Sequence, residues 1–142
     1  MPIKFQFWPE FNTVVCEHIG TIADEEFLAS YESLYADNRF IPSMNHLIDL
    51  RRTDSAQRTQ QTLRSFAVSM NERFRRAPVK PKIAVIAPKD ASFGLARMYG
   101  AYSDEIEADF VVFRSSDEAL AWLELPGKII DNTEKDSASP VE

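Results

Sequence analysis

The chain has 142 residues, 44% hydrophobic and 27% charged, with a formal net charge of -6. That is the size and composition of one soluble domain, and a chain of this length buries roughly 68–70% of its unfolded surface without help from a disulfide or structural metal. The single cysteine, Cys16, excludes an intramolecular disulfide framework and any zinc site needing two thiolates. The longest apolar run, Ile83 to Ala87, is far too short to cross a bilayer, so no transmembrane segment is expected. The first seven residues lack the apolar core of a secretory signal. A cytoplasmic protein is the expectation.

Ile3, Phe5 and Phe7 alternate with Lys4, Gln6 and Trp8, Pro9 to Asn12 makes a turn, and Thr13 to Ile19 resumes a β-branched alternation. This reads as a hairpin. Thr21 with Asp24 resembles a capping box, and Phe27, Leu28, Tyr31, Leu34 and Tyr35 then recur at helical spacing up to Asn38. Met44 to Leu50 suits a third strand, after which a polar loop from Arg51 to Ser55 leads to a second helix capped by Asp54 with Gln57. Its apolar stripe is Leu63, Phe66, Ala67, Met70 and Phe74.

Lys82 to Ala87 is a continuous apolar run, the signature of a strand covered on both faces, and is expected as the central parallel strand. Pro88-Lys89-Asp90 opens a third helix with Leu95, Met98, Tyr99, Tyr102 and Ile106 on one side. Phe110 to Phe113 is a fifth strand, and Ser115 with Glu118 caps a last helix over Asp117 to Leu125. The domain is expected over residues 1–125, with 126–142 as a disordered tail, polar apart from Ile129 and Ile130. The order is α/β: an opening hairpin, then βαβαβα, giving a mixed five-stranded sheet, parallel after the hairpin, with four helices.

Ligands of open α/β sheets sit beyond the carboxyl ends of the strands. The loops there hold Arg51, Arg52, Lys89 and Arg114, and helix amino termini next to them favour an anion. From Arg51 to Lys82 there are nine basic residues against two acidic ones, a local excess of seven, so the rest of the chain carries -13. A basic helix could meet an acidic protein or phospholipid surface, but a solvated outer face is the simpler reading. Nucleic acid is not expected, because the acidic remainder would repel a phosphate backbone and no aromatics interleave the arginines.

No catalytic constellation is recognisable. Cys16 and His18 fall on one strand face, where a small core thiol beside a half-buried histidine is the expectation, and His46 reads the same way. Four glycines without a cluster argue against a nucleotide cofactor, and no cofactor or metal is expected. Gly94 marks a packing contact or a ligand's approach to the third helix. Asp49, ending a largely apolar strand, should be buried and answered by Arg51 or Lys89. Phe93, Met98, Tyr99, Tyr102 and Trp122 form an aromatic and thioether set that is core, an apolar-ligand pocket or a face buried against a second copy.

The stretch Phe93-Gly94-Leu95-Ala96-Arg97-Met98-Tyr99, then Val112-Phe113-Arg114 and Asp117-Glu118-Ala119-Leu120-Ala121-Trp122-Leu123, resembles the SpoIIAA-like family of small bacterial STAS-fold proteins. Leu47 to Arg51 and Ile83 to Ala87 fall where that family has its middle strands. The resemblance implies a mixed sheet with helices, a homodimer, kinship with anti-sigma-factor antagonists and CRAL-TRIO lipid-binding domains, and no established enzyme activity. The antagonists are switched by phosphorylation of a serine in an Asp-Ser-Ser-Gly type motif. Here Asp54-Ser55-Ala56-Gln57 matches only in part, which makes Ser55 a candidate phosphorylation position and, more simply, a cap residue.

The functional expectation is a non-enzymatic binding or regulatory module acting through a protein partner or a small anionic ligand. The alternative is a carrier of a lipid-like or amphipathic molecule, its acidic end on the loop cations and its apolar part against Phe93, Met98 and Tyr102. The candidate ligand-binding residues are Asp49, Arg51, Arg52, Lys89, Ser92, Phe93, Arg97, Met98, Tyr102 and Arg114.

Overall fold

The computed structural model describes residues 2–53, 58–102 and 108–130, without the side chain of Tyr102. Five strands form one sheet in the order β1-β2-β3-β4-β5. They are β1 (Ile3–Trp8), β2 (Thr13–Gly20), β3 (Asn45–Thr53), β4 (Lys82–Ile86) and β5 (Asp109–Phe113). The hairpin β1–β2 is antiparallel and every later pairing is parallel, as the alternation requires. A 3-10 turn, Pro9–Phe11, joins the hairpin, and Asn12 closes it in the left-handed region at φ 50°. The central position belongs to β3. The run over β4 is nevertheless buried on both faces, with Ile83 and Val85 in one apolar cluster and Ala84 and Ile86 in the other.

Helices α1 (Asp24–Ala36), α2 (Gln60–Phe74) and α3 (Asp90–Tyr102) supply the first cluster, and α4 (Ser116–Leu123) supplies the second. The α2 stripe is buried as its spacing predicts: Leu63, Phe66, Ala67, Met70 and Phe74. The helix ends differ from expectation. Ala23, with no capping side chain, precedes α1, and the Asp24 carboxylate instead accepts from Thr59 Oγ1 (3.4 Å), Thr62 Oγ1 (3.0 Å) and Arg58 (3.2 Å). The N-cap of α2 is Thr59, accepting from the Thr62 amide at 3.1 Å, while Asp54, Ser55 and Gln57 lie outside the described residues. Ser115 caps α4 as expected.

Three further differences follow from packing. Strand β3 runs to Thr53, so Arg51 and Arg52 are strand residues rather than loop residues. A bulge opposite Glu17 and Ile19 places one extra residue in β3, and the consecutive arginines each reach a carboxylate. In α3 the inward positions are Ser92, Ala96 and Tyr99, while Met98 is 38% exposed. Gly94 makes no close approach, whereas a Cβ at Gly100 would stand 3.2 Å from the Phe110 ring, so α3 meets β5 at Gly100.

Residues 126–130 are packed: a 3-10 turn over Gly127–Ile129 delivers Ile129 and Ile130 into the second cluster. The ordered domain therefore continues past residue 125, because two large aliphatic side chains gain more by covering the sheet than by trailing in water. Residues 131–142, the remainder of the expected tail, lie outside the described residues. Among the described residues no helix is long and apolar enough to cross a membrane.

Candidate functional site

The cations expected to gather an anion are each engaged by the protein. Asp49 is fully buried, and its carboxylate accepts from the Arg51 amide (3.0 Å), Nε (2.9 Å) and Nη2 (2.9 Å). Arg52 donates to Glu17 at 2.6 Å, Lys89 to the Thr53 carbonyl at 3.2 Å, and Arg114 to Asp90 at 2.6 Å and the Pro88 carbonyl at 3.2 Å. A charged donor already matched to a carboxylate at this range has little left for an incoming anion. Phe93 sits under two guanidinium groups, with Arg114 4.1 Å and Arg97 5.7 Å from its centroid. Trp122 is on the opposite side of the sheet, against Phe113 at 5.8 Å, so the aromatic set read from the last two helices is divided between two faces.

A cavity of about 90 Å³ lies elsewhere, between the sheet and helices α1, α2 and α3. Of the candidate residues, Ser92 alone lines it among those described. The walls are Ile48, Leu50, Ile83, Val85 and Phe110 from the strands, Phe27 and Tyr31 from α1, Leu63, Phe66 and Met70 from α2, and Leu95, Ala96 and Tyr99 from α3. His18, Thr53, Arg58 and Ser92 complete it. These four come from the carboxyl ends of β2 and β3, from the segment that leads into α2 and from the first turn of α3, so the polar lining gathers at the end of the sheet where open α/β folds bind ligands. Met70, Ile83, Tyr99 and Phe110 line the far end.

The polar groups have defined states. His18 Nε2 and the Tyr31 hydroxyl are hydrogen-bonded at 2.8 Å. Burial, and then the nearby Arg58 charge, push the His18 pKa down to about 3, so the imidazole is neutral at ordinary pH. Burial pushes the Cys16 thiol up to about 12, with the Tyr31 hydroxyl only partly opposing it, and removes the thiolate that nucleophilic chemistry needs. His46, at the other end of this face, is lowered to about 4 by burial. Its Nδ1 lies 3.2 Å from the Met44 carbonyl, which makes Nδ1 the protonated nitrogen and leaves Nε2 to accept from Tyr35 at 3.3 Å. The side chain of Arg58 is only 6% exposed; it lies 4.7 Å from the Phe27 centroid and donates to the Ile22 carbonyl at 2.6 Å.

Sequence reasoning missed Arg58 and treated His18 as core. Both sit among residues whose spacing gives no signal of a shared cavity, since they lie 40 positions apart and only the crossover through α1 and β3 brings them together.

In a comparison with solved structures, the chain is similar to an uncharacterized protein from Shewanella loihica PV-4, of the DUF3478 family and described as having a SpoIIAA-like fold. The two share 16% sequence identity at a TM-score of 0.53, over 85% of this chain and 91% of that one. No family model matches the sequence. No curated protein matches it either.

Proposed function

We propose that this SpoIIAA-like domain is a binding module for a small molecule with an apolar body, taken into the cavity under α1, α2 and α3. The cavity itself is the observation that carries the reading. Protein interiors pack to the density of organic crystals, and about 90 Å³ of open space in a domain of this size is a departure that costs stability. Apolar cavities of roughly 150 Å³ accept benzene. At about 90 Å³ the one here suits a smaller body, of about four carbon atoms by the same scale. The neutral imidazole of His18 in its lining, with the thiol of Cys16 held protonated nearby on the same strand, supports binding over turnover.

An anion over Arg51, Lys89 and Arg114 is the weaker reading, since Asp49, the Thr53 carbonyl and Asp90 already hold those cations. Homodimerisation is a separate proposal, favoured by Val68 and Met98, large apolar side chains 67% and 38% exposed on the neighbouring helices α2 and α3. A strictly monomeric mass by sedimentation at micromolar concentration refutes it.

Titration with xenon, small enough for this volume, followed by methyl resonances, tests the cavity. The methyls of Leu63, Met70, Ile83 and Val85 should shift together, and Ala96→Leu, which fills the space from α3, should abolish the response. Xenon that leaves these methyls unmoved, or moves them equally in Ala96→Leu, overturns the reading.

A further inference from the structure

We propose that the ligand is a small neutral carbonyl compound of about four carbon atoms, its oxygen accepting a hydrogen bond from His18 Nδ1; this rests on the cavity being a ligand site. Two histidines are buried on this face of the sheet, and their ring nitrogens are matched differently. His46 has both met, Nδ1 by the Met44 carbonyl at 3.2 Å and Nε2 by the Tyr35 hydroxyl at 3.3 Å. His18, only 6% exposed, has Nε2 met by the Tyr31 hydroxyl at 2.8 Å, and nothing among the described residues meets its Nδ1. His18 lines the cavity, and His46 is not among the described lining residues. Buried polar nitrogens are ordinarily paired, and the open one here belongs to the ring that borders the open space.

The direction of the Tyr31 bond sets what Nδ1 offers. A phenol is a strong donor and an imidazole nitrogen a strong acceptor, whereas the nearby thiol of Cys16, held protonated, is a weak acceptor. Tyr31 therefore donates to Nε2, and the proton of the neutral ring sits on Nδ1, which makes that nitrogen a donor. Ser92, 3% exposed, brings a hydroxyl to the same end, and it too has no hydrogen-bond partner among the described residues. A carbonyl oxygen accepts without bringing a proton of its own, whereas a ligand hydroxyl adds one that needs a further acceptor. Charge of either sign is disfavoured. No acidic side chain is among the described lining residues to receive an ammonium. Arg58 already donates to the Ile22 carbonyl at 2.6 Å and to Asp24 at 3.2 Å, so a carboxylate would give up its water for a guanidinium that is matched without it.

Butanone and 2-butanol, nearly equal in size, titrated separately into the full chain, test the assignment on the native protein, with the imidazole nitrogen resonances of His18 read beside the cavity methyls. Butanone is expected to move the methyls that xenon moves, to shift Nδ1 more than Nε2, and to bind about fivefold more tightly than 2-butanol. His18→Phe, which keeps an aromatic ring and removes Nδ1, should weaken butanone about tenfold and leave the xenon response in place. If that variant does not fold, the nitrogen resonances of the native chain decide. Butanol binding as tightly as butanone, an Nδ1 resonance that butanone leaves unmoved, or an undiminished butanone affinity in a folded His18→Phe overturns the carbonyl and leaves the cavity standing. Xenon and butanone both failing to move the cavity methyls overturns the cavity as a ligand site, and the carbonyl with it.

Discussion

The two faces of the sheet are covered by different means. On one, α4 and the turn carrying Ile129 and Ile130 lay aliphatic side chains on Val15, Leu47, Ala84 and Ile86. On the other, three helices bring a set of aromatic rings: Phe27 and Phe66 at 4.7 Å, Tyr31 and Phe66 at 5.0 Å, Tyr99 and Phe110 at 5.3 Å, most tilted edge to face. The first face has rings only at its margin, Trp8, Phe11, Phe113 and Trp122, whereas on the second the rings meet within the core and line the open space. The heavier cover thus encloses the cavity. The charged groups divide likewise: arginine–carboxylate pairs close the end of the aliphatic face at Asp49 and Glu17, and the aromatic face keeps neutral histidines and the buried guanidinium of Arg58.

Acid should break the aromatic face first, and this is the largest effect expected. His18 and His46 are buried there with pKa values near 3 and 4, below the value near 6.5 of an unfolded histidine. The unfolded chain therefore takes up protons first as pH falls. Their contribution is intact above pH 6.5 and declines below it at about 1.4 kcal/mol per pH unit for each histidine, reaching about 5 kcal/mol for both near pH 4.5. Urea unfolding across pH 7 to 4.5 measures this, and His46→Gln should halve the slope. A flat profile would mean that the histidines are hydrated and the face is open.

Next in size is a cavity made where none is needed. Ile86→Ala, on the aliphatic face, should cost about 3 kcal/mol in urea unfolding, because its neighbours are already in contact and cannot collapse into the space. The smallest effect sharpens the contrast: Ala96→Leu, on the aromatic face, should change stability by less than about 1 kcal/mol, since the added carbons enter space that is already open. A loss of 1–3 kcal/mol, the usual cost of overpacking, would show that both faces are equally dense.

Much of the architecture was legible from local pattern. Period-two alternation marked the hairpin, the α2 stripe marked its buried side, and the unbroken run from Lys82 marked a strand covered twice, because each pattern is imposed by geometry within a few residues. That Asp49 would be buried and answered by Arg51 or Lys89 was legible too, and the structure pairs it with Arg51, two positions along the same strand.

Tertiary structure decided the rest. Arg51 and Arg52 joined the sheet because Asp49 and Glu17 on its surface could satisfy them, which no property of a dipeptide announces. Ser92 rather than Met98 turned inward because α3 approaches β5 at Gly100, a contact made across the chain. The cavity is the space left over when strands and helices distant in sequence are brought together. Its size, and the meeting of His18 with Arg58 at its end, depend on how whole elements pack, and packing is written in no single stretch of the chain.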